Sequence, residues 1–190
     1  MTWPEWDTSL LLAINHNHNH VLDLLMWWVS QSWIWSPLYI FLLAVLFKRY
    51  GMKNTVSILV AFGVLILCTD FLNLHCIKNT VERLRPTHEP SLINQLHLLN
   101  DSNGNPYLGG PYGFLSSHAA NHFGIAFLVS ELMKNIFRYA TIIFFGWALL
   151  IAYSRVYMGV HYPLDVICGG AFGVFFGWTI LMTLRRFVSF

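Results

Sequence analysis

The sequence predicts an all-α protein: a polytopic membrane helix bundle of five to six transmembrane helices with an N-terminal interfacial helix. The first observation is composition, because the 190-residue chain is 56% hydrophobic and only 11% charged, against about 25% charged residues in soluble domains. The second is that its apolar runs approach the length of a bilayer-spanning helix, about 20 residues. No internal repeat, low-complexity segment or linker divides the chain, which predicts one domain over residues 1–190.

The first 20 residues are interpreted as an interfacial helix followed by a polar loop. The apolar part of MTWPEWDTSLLLAIN is too short to span a membrane, and the stretch lacks the basic start and cleavage site of a signal peptide. The loop carries His16, His18 and His20 at alternate positions, a spacing that allows a metal such as zinc to bind. Because the stretch is rich in turn-forming residues, we favour a polar loop that ends the helix.

Five apolar runs follow and are interpreted as membrane spans. They cover about 36–47 with a Trp-rich lead-in from 21, 54–77, 119–133, 139–153 and 164–184. A sixth span arises only if the N-terminal helix crosses the membrane. Between the second and third runs, residues 87–113 are rich in Gly, Asn and Pro, which predicts an irregular extracytoplasmic loop that acts as a lid.

Basic residues predict the orientation of the bundle, because the cytoplasmic ends of spans are enriched in Lys and Arg. Seven of the eleven flank one end of the predicted spans: Lys48, Arg49, Lys53, Lys134, Arg138, Arg185 and Arg186. The other four flank the opposite end: Lys78, Arg83, Arg85 and Arg155. Charge beside hydrocarbon is costly unless it has a partner. These four residues therefore predict an anion on the extracytoplasmic side.

The stretch KNTVERLRP places two of these cations seven residues apart. Two helical turns separate Lys78 from Arg85, so both are expected on one face of an extended second span that Pro86 ends. The alternative is structural: Lys78 pairs with Glu82 four residues on, and Arg85 extends to the membrane surface. Asp70 lies within the same run, where a charge is costly, and is expected to face the bundle interior.

The third span opens with two serines and a histidine. Ser116 or Ser117 is expected to cap this helix, and the free N–H groups of a first helical turn form an anion site without any special side chain. His118 then stands in the first turn, at the membrane surface. The alternative is a plain N-cap with an incidental histidine.

The stretch SRVYMGVHYPLD joins the last two spans. Arg155 ends one span, His161 lies in the turn, Pro163 occupies the first position of the next helix and Asp165 its first turn. The spacing lets the Asp165 carboxylate accept the imidazole N–H of His161, which leaves the other ring nitrogen as an outward lone pair. The alternative is an aspartate that caps its own helix beside an interfacial histidine.

Together these residues describe a site that binds phosphate and transfers it. All lie at the same predicted ends of the spans, where three cations and a helix N-terminus attract an anion. An oriented neutral imidazole attacks phosphorus, and a second, protonated imidazole donates a proton to the leaving oxygen. A binding protein needs only the cations.

The same residues resemble the three-part signature of the phosphatidic acid phosphatase type 2 family, the membrane relatives of the vanadium haloperoxidases. The three parts are Lys-x6-Arg-Pro at 78–86, Ser-x-His at 116–118, and Ser-Arg-x5-His-x3-Asp at 154–165. The resemblance covers the chain from about residue 20 to the end and is closest to the short bacterial members. It implies a chloroperoxidase-like helical core.

Residue roles follow from this resemblance. His161 is implied as the nucleophile that forms a phosphohistidine, Asp165 as its orienting partner, and His118 as the acid for the leaving group and then the base for water. The implied phosphate-binding groups are Lys78, Arg85, Arg155, Ser116 and the backbone N–H of Ser117. The resemblance implies no metal or other cofactor, and the expected partners are a lipid phosphate and the bilayer, with no nucleic acid.

The middle motif departs from the family pattern at two positions. The usual Pro-Ser-Gly-His is here Leu115-Ser116-Ser117-His118. Serine keeps the backbone donor of the glycine, provided that the position does not need a positive φ. Leucine in place of proline is expected to loosen the turn.

The expected function is hydrolysis of a lipid phosphomonoester or pyrophosphate at the extracytoplasmic face of a bacterial inner membrane. The candidate substrates are undecaprenyl pyrophosphate, the 1-phosphate of lipid A, phosphatidylglycerol phosphate and phosphatidic acid. The alternative is a non-catalytic membrane protein that binds or transports an anion or a lipid with the same basic cluster. Haloperoxidase chemistry with bound vanadate uses the same residues, but the membrane setting argues against it.

Overall fold

The computed structural model describes residues 3–188, which form a bundle of helices. The longer helices are α1 Glu5–Asn15, α2 His20–Ser30, α3 Ser36–Leu72, α5 Ser117–Met133, α6 Ala140–Tyr157 and α7 Pro163–Leu184. A π-helical segment, Asn73–Lys78, joins α3 to the short α4, Asn79–Val81, and 3-10 turns lie at Ser32–Trp35 and Pro86–His88. Within residues 3–188 extended pairing is limited to two isolated bridges, so the all-α prediction is confirmed.

The first two predicted spans form the two arms of α3. They meet at Gly51, whose φ of 73° and ψ of 171° interrupt the helix between residues 47 and 54. A backbone with positive φ suits glycine, which has no Cβ to clash. The break therefore falls where the sequence has its basic cluster of Lys48, Arg49 and Lys53.

Among the residues that the structure describes, three helical stretches are long and apolar enough to cross a membrane: Ser32–Val81, Ala140–Tyr157 and Pro163–Leu184. The first has 50 residues, about 75 Å of helix at 1.5 Å per residue, which is enough for two passes through a core of about 30 Å. Helix α5, with 17 residues, is slightly shorter and lies among the others. The chain is an integral membrane protein.

The centre of the bundle is the contact between α5 and α7. A Cβ on Gly169 would lie 2.6 Å from the backbone oxygen of Ser116, and one on Gly173 would overlap the carbonyl of Ala120. Small residues let helix backbones approach closely. This packing brings the start of α5 beside the start of α7, and so places the second and third sequence motifs together.

The two ends of the bundle can be distinguished by their contacts. The Tyr50 hydroxyl donates to the backbone oxygen of Leu132, and Arg185 forms an ion pair with Glu131. The turn of α3, the end of α5 and the end of α7 thus share one end, which we call the basic end. The starts of α5 and α7 lie at the other, which we call the site end.

The N-terminal helix packs on the body of the protein. Asp7, Leu11 and Asn15 of α1 have no exposed surface and recur every four residues, so they form one face toward α6 and α7. The segment 87–113 is irregular, as predicted, with one 3-10 turn and the bridge Asn100–Pro106. We call it the outer segment.

Candidate active site

The turn between α6 and α7 presents His161, which is 1% exposed. Pro163 opens α7, and Asp165 lies in its first turn as predicted. The His161 Nδ1 lies 3.4 Å from Asp165 Oδ2, and the same oxygen accepts the backbone N–H of Tyr162 at 3.1 Å. Asp165 therefore caps its own helix and also orients the imidazole, which combines the two interpretations of the sequence.

The other nitrogen of His161 faces a cation. Arg85 Nη1 lies 3.0 Å from His161 Nε2 and also donates to the backbone oxygen of Val160 at 3.2 Å. A guanidinium always donates, so Nε2 must be the accepting lone pair and Nδ1 must carry the proton toward Asp165. This tautomer is the one that a nucleophilic Nε2 requires.

The expected helical position of Arg85 is wrong. The helix ends at Val81, because Glu82 adopts a left-handed conformation with φ of 49°, and Arg85 is extended with φ of −67° and ψ of 155°. The residue before a proline avoids the helical conformation, and Pro86 follows Arg85 directly. The Arg85 N–H instead donates to the backbone oxygen of Pro111 in the outer segment.

Two further cations converge on the site, and both have donors available for an anion. Arg155, 2% exposed, donates to Ser30 Oγ and to the Tyr107 hydroxyl, while its buried Nε has no acceptor within residues 3–188. Lys78 ends the π-helical segment and is 9% exposed. In the described part of the chain its ammonium group has no hydrogen bond, and it does not form the ion pair with Glu82 that was the alternative interpretation.

The middle motif forms the start of α5. Ser116 is the N-cap, and its hydroxyl accepts the Ala119 N–H at 3.4 Å. Ser117 is helical, with no positive φ, so serine in place of glycine keeps the backbone donor. His118 stands in the first turn of α5, as predicted, and interacts electrostatically with Arg155, Arg85 and Lys78.

Asn73, which the sequence analysis did not single out, fixes the turn before α5. Its amide donates to the backbone oxygen of Leu115 at 3.0 Å and to Ser117 Oγ at 2.9 Å, and its oxygen accepts the Leu115 N–H. These bonds hold the turn where the family pattern has proline. Asn73 lies in the π-helical segment, a distortion that is frequent at functional sites.

Burial and the charges of the site both lower the pKa of His161. Burial lowers the pKa of this imidazole well below its usual value of 6.5, and the cations Arg85, Arg155 and Lys78 lower it further. Burial and the neighbouring Arg155 also lower the pKa of Arg85, to about 10. At neutral pH the site therefore combines a charged guanidinium with a neutral imidazole.

Arg83 has a different role from the other cations. Its guanidinium donates to Asp165 Oδ1 at 2.8 Å and to Asp7 Oδ2 at 2.6 Å. It is stacked between aromatic rings, 3.8 Å from the centre of Tyr162 and 4.1 Å from that of Trp3. In the sequence, Arg83 was grouped with the basic residues at the extracytoplasmic ends of the spans. Nothing in the sequence indicated Asp7 as its partner. Arg83 is a positioning residue for Asp165.

The outer segment covers the site. A Cβ on Gly109 would lie 3.0 Å from Arg85 Nη1, and one on Gly113 would lie 2.8 Å from Asp165 Oδ2. A side chain at either position would force Arg85 or Asp165 to shift. The predicted lid thus packs directly on two site residues, and Tyr107 contacts a third, Arg155.

The expected interior position of Asp70 is wrong. Its carboxylate is exposed on the side of the bundle and accepts both bonds from the Asn121 amide of α5, at 3.1 and 3.2 Å. The neutral amide of Asn121 on the adjacent helix satisfies the carboxylate, so Asp70 does not need to be buried inside the bundle. All eight predicted site residues, by contrast, lie at the site end.

The sequence also resembles proteins of known activity. A lipid A 4′-phosphatase of Bacteroides thetaiotaomicron is 34% identical over 184 residues, which cover 96% of this chain and 79% of that protein. The lipid A 4′-phosphatase of Porphyromonas gingivalis is 32% identical, covering 91% and 70%. An undecaprenyl-diphosphatase of Sulfolobus acidocaldarius is 28% identical, covering 88% and 73%.

Two crystal structures share the fold. A transmembrane PAP2-type phosphatidylglycerolphosphate phosphatase from Bacillus subtilis superimposes with a TM-score of 0.70 at 21% identity, covering 97% of this chain and 87% of that one. Aquifex aeolicus LpxE superimposes with a TM-score of 0.64 at 24% identity, covering 92% and 94%. Residues 54–188 match the PAP2 superfamily. The resemblance seen in the three motifs is thus confirmed, and the chain belongs to the PAP2 superfamily.

Proposed function

We propose that this membrane lipid phosphatase removes the 4′-phosphate of lipid A through a phosphohistidine on His161. The observation that carries the proposal is the buried His161–Asp165 pair beside three cations. Binding an anion requires the cations alone, whereas a nucleophile requires an imidazole with an oriented lone pair. The 4′ position is inferred from the two lipid A 4′-phosphatases that align with over nine-tenths of this chain.

The first chemical step forms a bond between His161 Nε2 and phosphorus. Arg85 exchanges its contact with Nε2 for a phosphate oxygen, and Lys78 and Arg155 hold the remaining oxygens with their available donors. The negative charge of the bound phosphate offsets the three cations and favours the protonated form of His118. The ester P–O bond breaks as His118 donates this proton to the leaving sugar oxygen. Asp165 stabilises the positive charge that develops on His161.

The second step releases inorganic phosphate. His118, now neutral, takes a proton from water as the water oxygen attacks phosphorus. The P–N bond breaks, and His161 recovers its lone pair while the proton stays on His118 for the next cycle. No proton is gained or lost by the protein over the two steps.

An apolar cavity supports an amphiphilic substrate. It has a volume of about 410 Å³ between the two arms of α3 and helix α5, and its lining includes the exposed Leu43 and Leu59. His122 lines it one helical turn from His118. An acyl chain seated there would leave its phosphorylated head group beside the start of α5.

The proposed location is the inner membrane of a bacterium, with the site end toward the periplasm. Support comes from the basic end, which carries the exposed Lys and Arg residues that are typical of cytoplasmic loops. Labelling a cysteine at position 134 and one at Ser102 with an impermeant thiol reagent tests this in whole cells. Modification of position 102 alone is expected, and modification of position 134 alone would contradict the orientation.

Purified protein tests the substrate. It is given lipid A 1,4′-bisphosphate, undecaprenyl diphosphate, phosphatidylglycerol phosphate or phosphatidic acid, each in the same detergent, with His161→Ala as the matched control. Phosphate release from lipid A with retention of the 1-phosphate, read by mass spectrometry, is expected. Faster phosphate release from undecaprenyl diphosphate than from lipid A would make undecaprenyl diphosphate the proposed substrate instead. Equal release by His161→Ala would contradict the mechanism and leave the binding protein as the better interpretation.

A further inference from the structure

Three side chains that the phosphatase mechanism does not use meet at the site end. They are His18 in the turn before α2, Asp23 in the first turn of α2 and His97 in the outer segment. One ligand atom from each lies within 4.8 Å of the other two. We propose that they bind a zinc ion that fastens the outer segment to α2.

The donor set suits zinc. Two imidazole nitrogens and one carboxylate oxygen, with water in the fourth position, are a common zinc environment. Tetrahedral bonds of about 2.0–2.1 Å place neighbouring ligand atoms about 3.3 Å apart. His97 Nε2 and Asp23 Oδ1 are already 3.1 Å apart. To reach this spacing, the ring nitrogen of His18 must move closer to the other two ligand atoms. The exposed side chain of His18 is able to rotate.

Only one histidine of the NHNHNH stretch points to this position. The ring of His18 stacks on that of His97, with centroids 3.6 Å apart and planes 3° from parallel. His16 Nε2 instead contacts the backbone oxygen of Gln95 at 2.7 Å, and His20 opens α2. The spacing in the sequence allowed a metal site formed by alternate histidines. The structure instead pairs one of them with a distant histidine.

The ligands are held by further hydrogen bonds, as in established metal sites. The Tyr157 hydroxyl donates to Asp23 Oδ1 at 2.7 Å. Asn15, which has no exposed surface, holds the backbone of His97 from both sides, with its amide donating to the oxygen and its oxygen accepting the N–H, both at 2.8 Å. The Asn15 amide also donates to the backbone oxygen of Tyr157. The His97 backbone and the Asp23 carboxylate are thus held in place without the ion.

The expected role of the ion is structural. The cluster joins the α1–α2 turn, α2 and the outer segment, and through Tyr157 it contacts the end of α6. Ten residues after His97, the outer segment provides Tyr107, which contacts Arg155. Without an ion, the three residues amount to a partly exposed contact between His97 and Asp23 and one stacked ring, which contribute little. An ion bound only to the folded state raises the stability of these connections.

Zinc titration of the purified, untagged protein tests the proposal. Protein treated with EDTA and then freed of it is expected to bind one Zn²⁺ per chain by calorimetry, with a rise of several degrees in Tm, whereas equimolar Mg²⁺ gives neither. With Co²⁺ as the probe, visible d–d absorption typical of a four-coordinate site is expected. These measurements do not depend on phosphatase activity, so their result is separate from that of the proposed function.

Two variants in the same stretch provide the comparison. His18→Ala removes one ligand from an exposed position and is expected to weaken zinc binding by more than about 100-fold, since loss of a residue that only hydrogen-bonds to a ligand already costs about 10- to 100-fold. His20→Ala, also exposed, is expected to bind zinc like the wild type. An unchanged Tm of both metal-free variants establishes that they fold. Absence of stoichiometric binding in the wild type, or equal binding by the two variants, would overturn the proposal.

Discussion

The two ends of the bundle use the same charged residue types in opposite ways. At the basic end, Lys134 and Arg185 pair with Glu131, and their side chains are 46% and 42% exposed. At the site end, the Arg83 side chain is 4% exposed, and its partners Asp7 and Asp165 have no exposed surface. Exposed pairs contribute about 0–1 kcal/mol, whereas loss of one partner of a buried pair costs about 3–5 kcal/mol.

This difference in burial distinguishes the cations that relate to membrane orientation from those that relate to the candidate active site. The exposed cations are compensated by water, and in the proposed orientation they lie on the cytoplasmic side, where positive charge is enriched. The buried cations are retained despite their desolvation, which requires compensating partners. Arg83 has two carboxylates, and in the proposed mechanism the substrate phosphate is the anionic partner of Arg85, Arg155 and Lys78. Substitutions at the site end should therefore have large effects on activity, and substitutions at the basic end should have small ones.

The largest effect is expected at His161. His161→Ala removes the atom that attacks phosphorus, so turnover of lipid and of p-nitrophenyl phosphate should fall by several powers of ten. The Tm of the variant in detergent reports whether it folds. Residual turnover within tenfold of the wild type would show that another group is the nucleophile.

Arg83→Gln should destabilise the protein by about 3–5 kcal/mol, because it leaves Asp7 and Asp165 buried without a cation. In the fraction that folds, kcat should fall more than KM changes, since Asp165 loses one of the bonds that orient it toward His161. Arg83→Lys keeps the charge without the paired geometry and should recover part of kcat. Normal stability and kcat in Arg83→Gln would remove Arg83 from its positioning role.

The buried imidazole makes stability depend on pH. In the unfolded chain His161 takes up a proton near pH 6.5, whereas in the folded protein burial holds its pKa well below that value. Between these values the unfolded state binds more protons at His161, so the contribution of this residue to stability should fall as pH is lowered from 7 to 5, by up to about 1.4 kcal/mol per pH unit. His161→Asn should reduce this slope. The exposed His20→Asn should not, and equal slopes in the two variants would contradict the assignment.

The smallest effect is expected at the basic end. Lys134→Gln removes an exposed ion pair with Glu131 and should change the free energy of unfolding by less than about 1 kcal/mol, with kcat and KM unaltered. Chemical denaturation and p-nitrophenyl phosphate hydrolysis measure both quantities. A loss of activity comparable to that of Arg83→Gln would mean that the two ends are not functionally distinct.

The sequence predicted the apolar helices and the position of the eight candidate site residues at one end of the bundle, because both depend on local patterns. Apolar runs gave the spans, and the motif around Pro163 gave the relation of His161 to Asp165. The extended conformation of Arg85 was missed because a left-handed Glu82 ends the helix, and nothing in the Glu82 residue type requires that conformation. Asp7 and Asn73 were missed because their partners lie 76 and 42 residues away along the chain.

The covalent role of His161 is tested most directly by pre-steady-state hydrolysis of p-nitrophenyl phosphate by His118→Ala. Nitrophenol leaves without an acid, so attack by His161 continues, while loss of the base slows hydrolysis of the phosphohistidine. A burst of about one nitrophenol per enzyme is expected, with an acid-labile phosphoenzyme that is absent from His118→Ala/His161→Ala. A linear time course in His118→Ala at a measurable rate, with no trapped phosphoenzyme, would contradict the phosphohistidine.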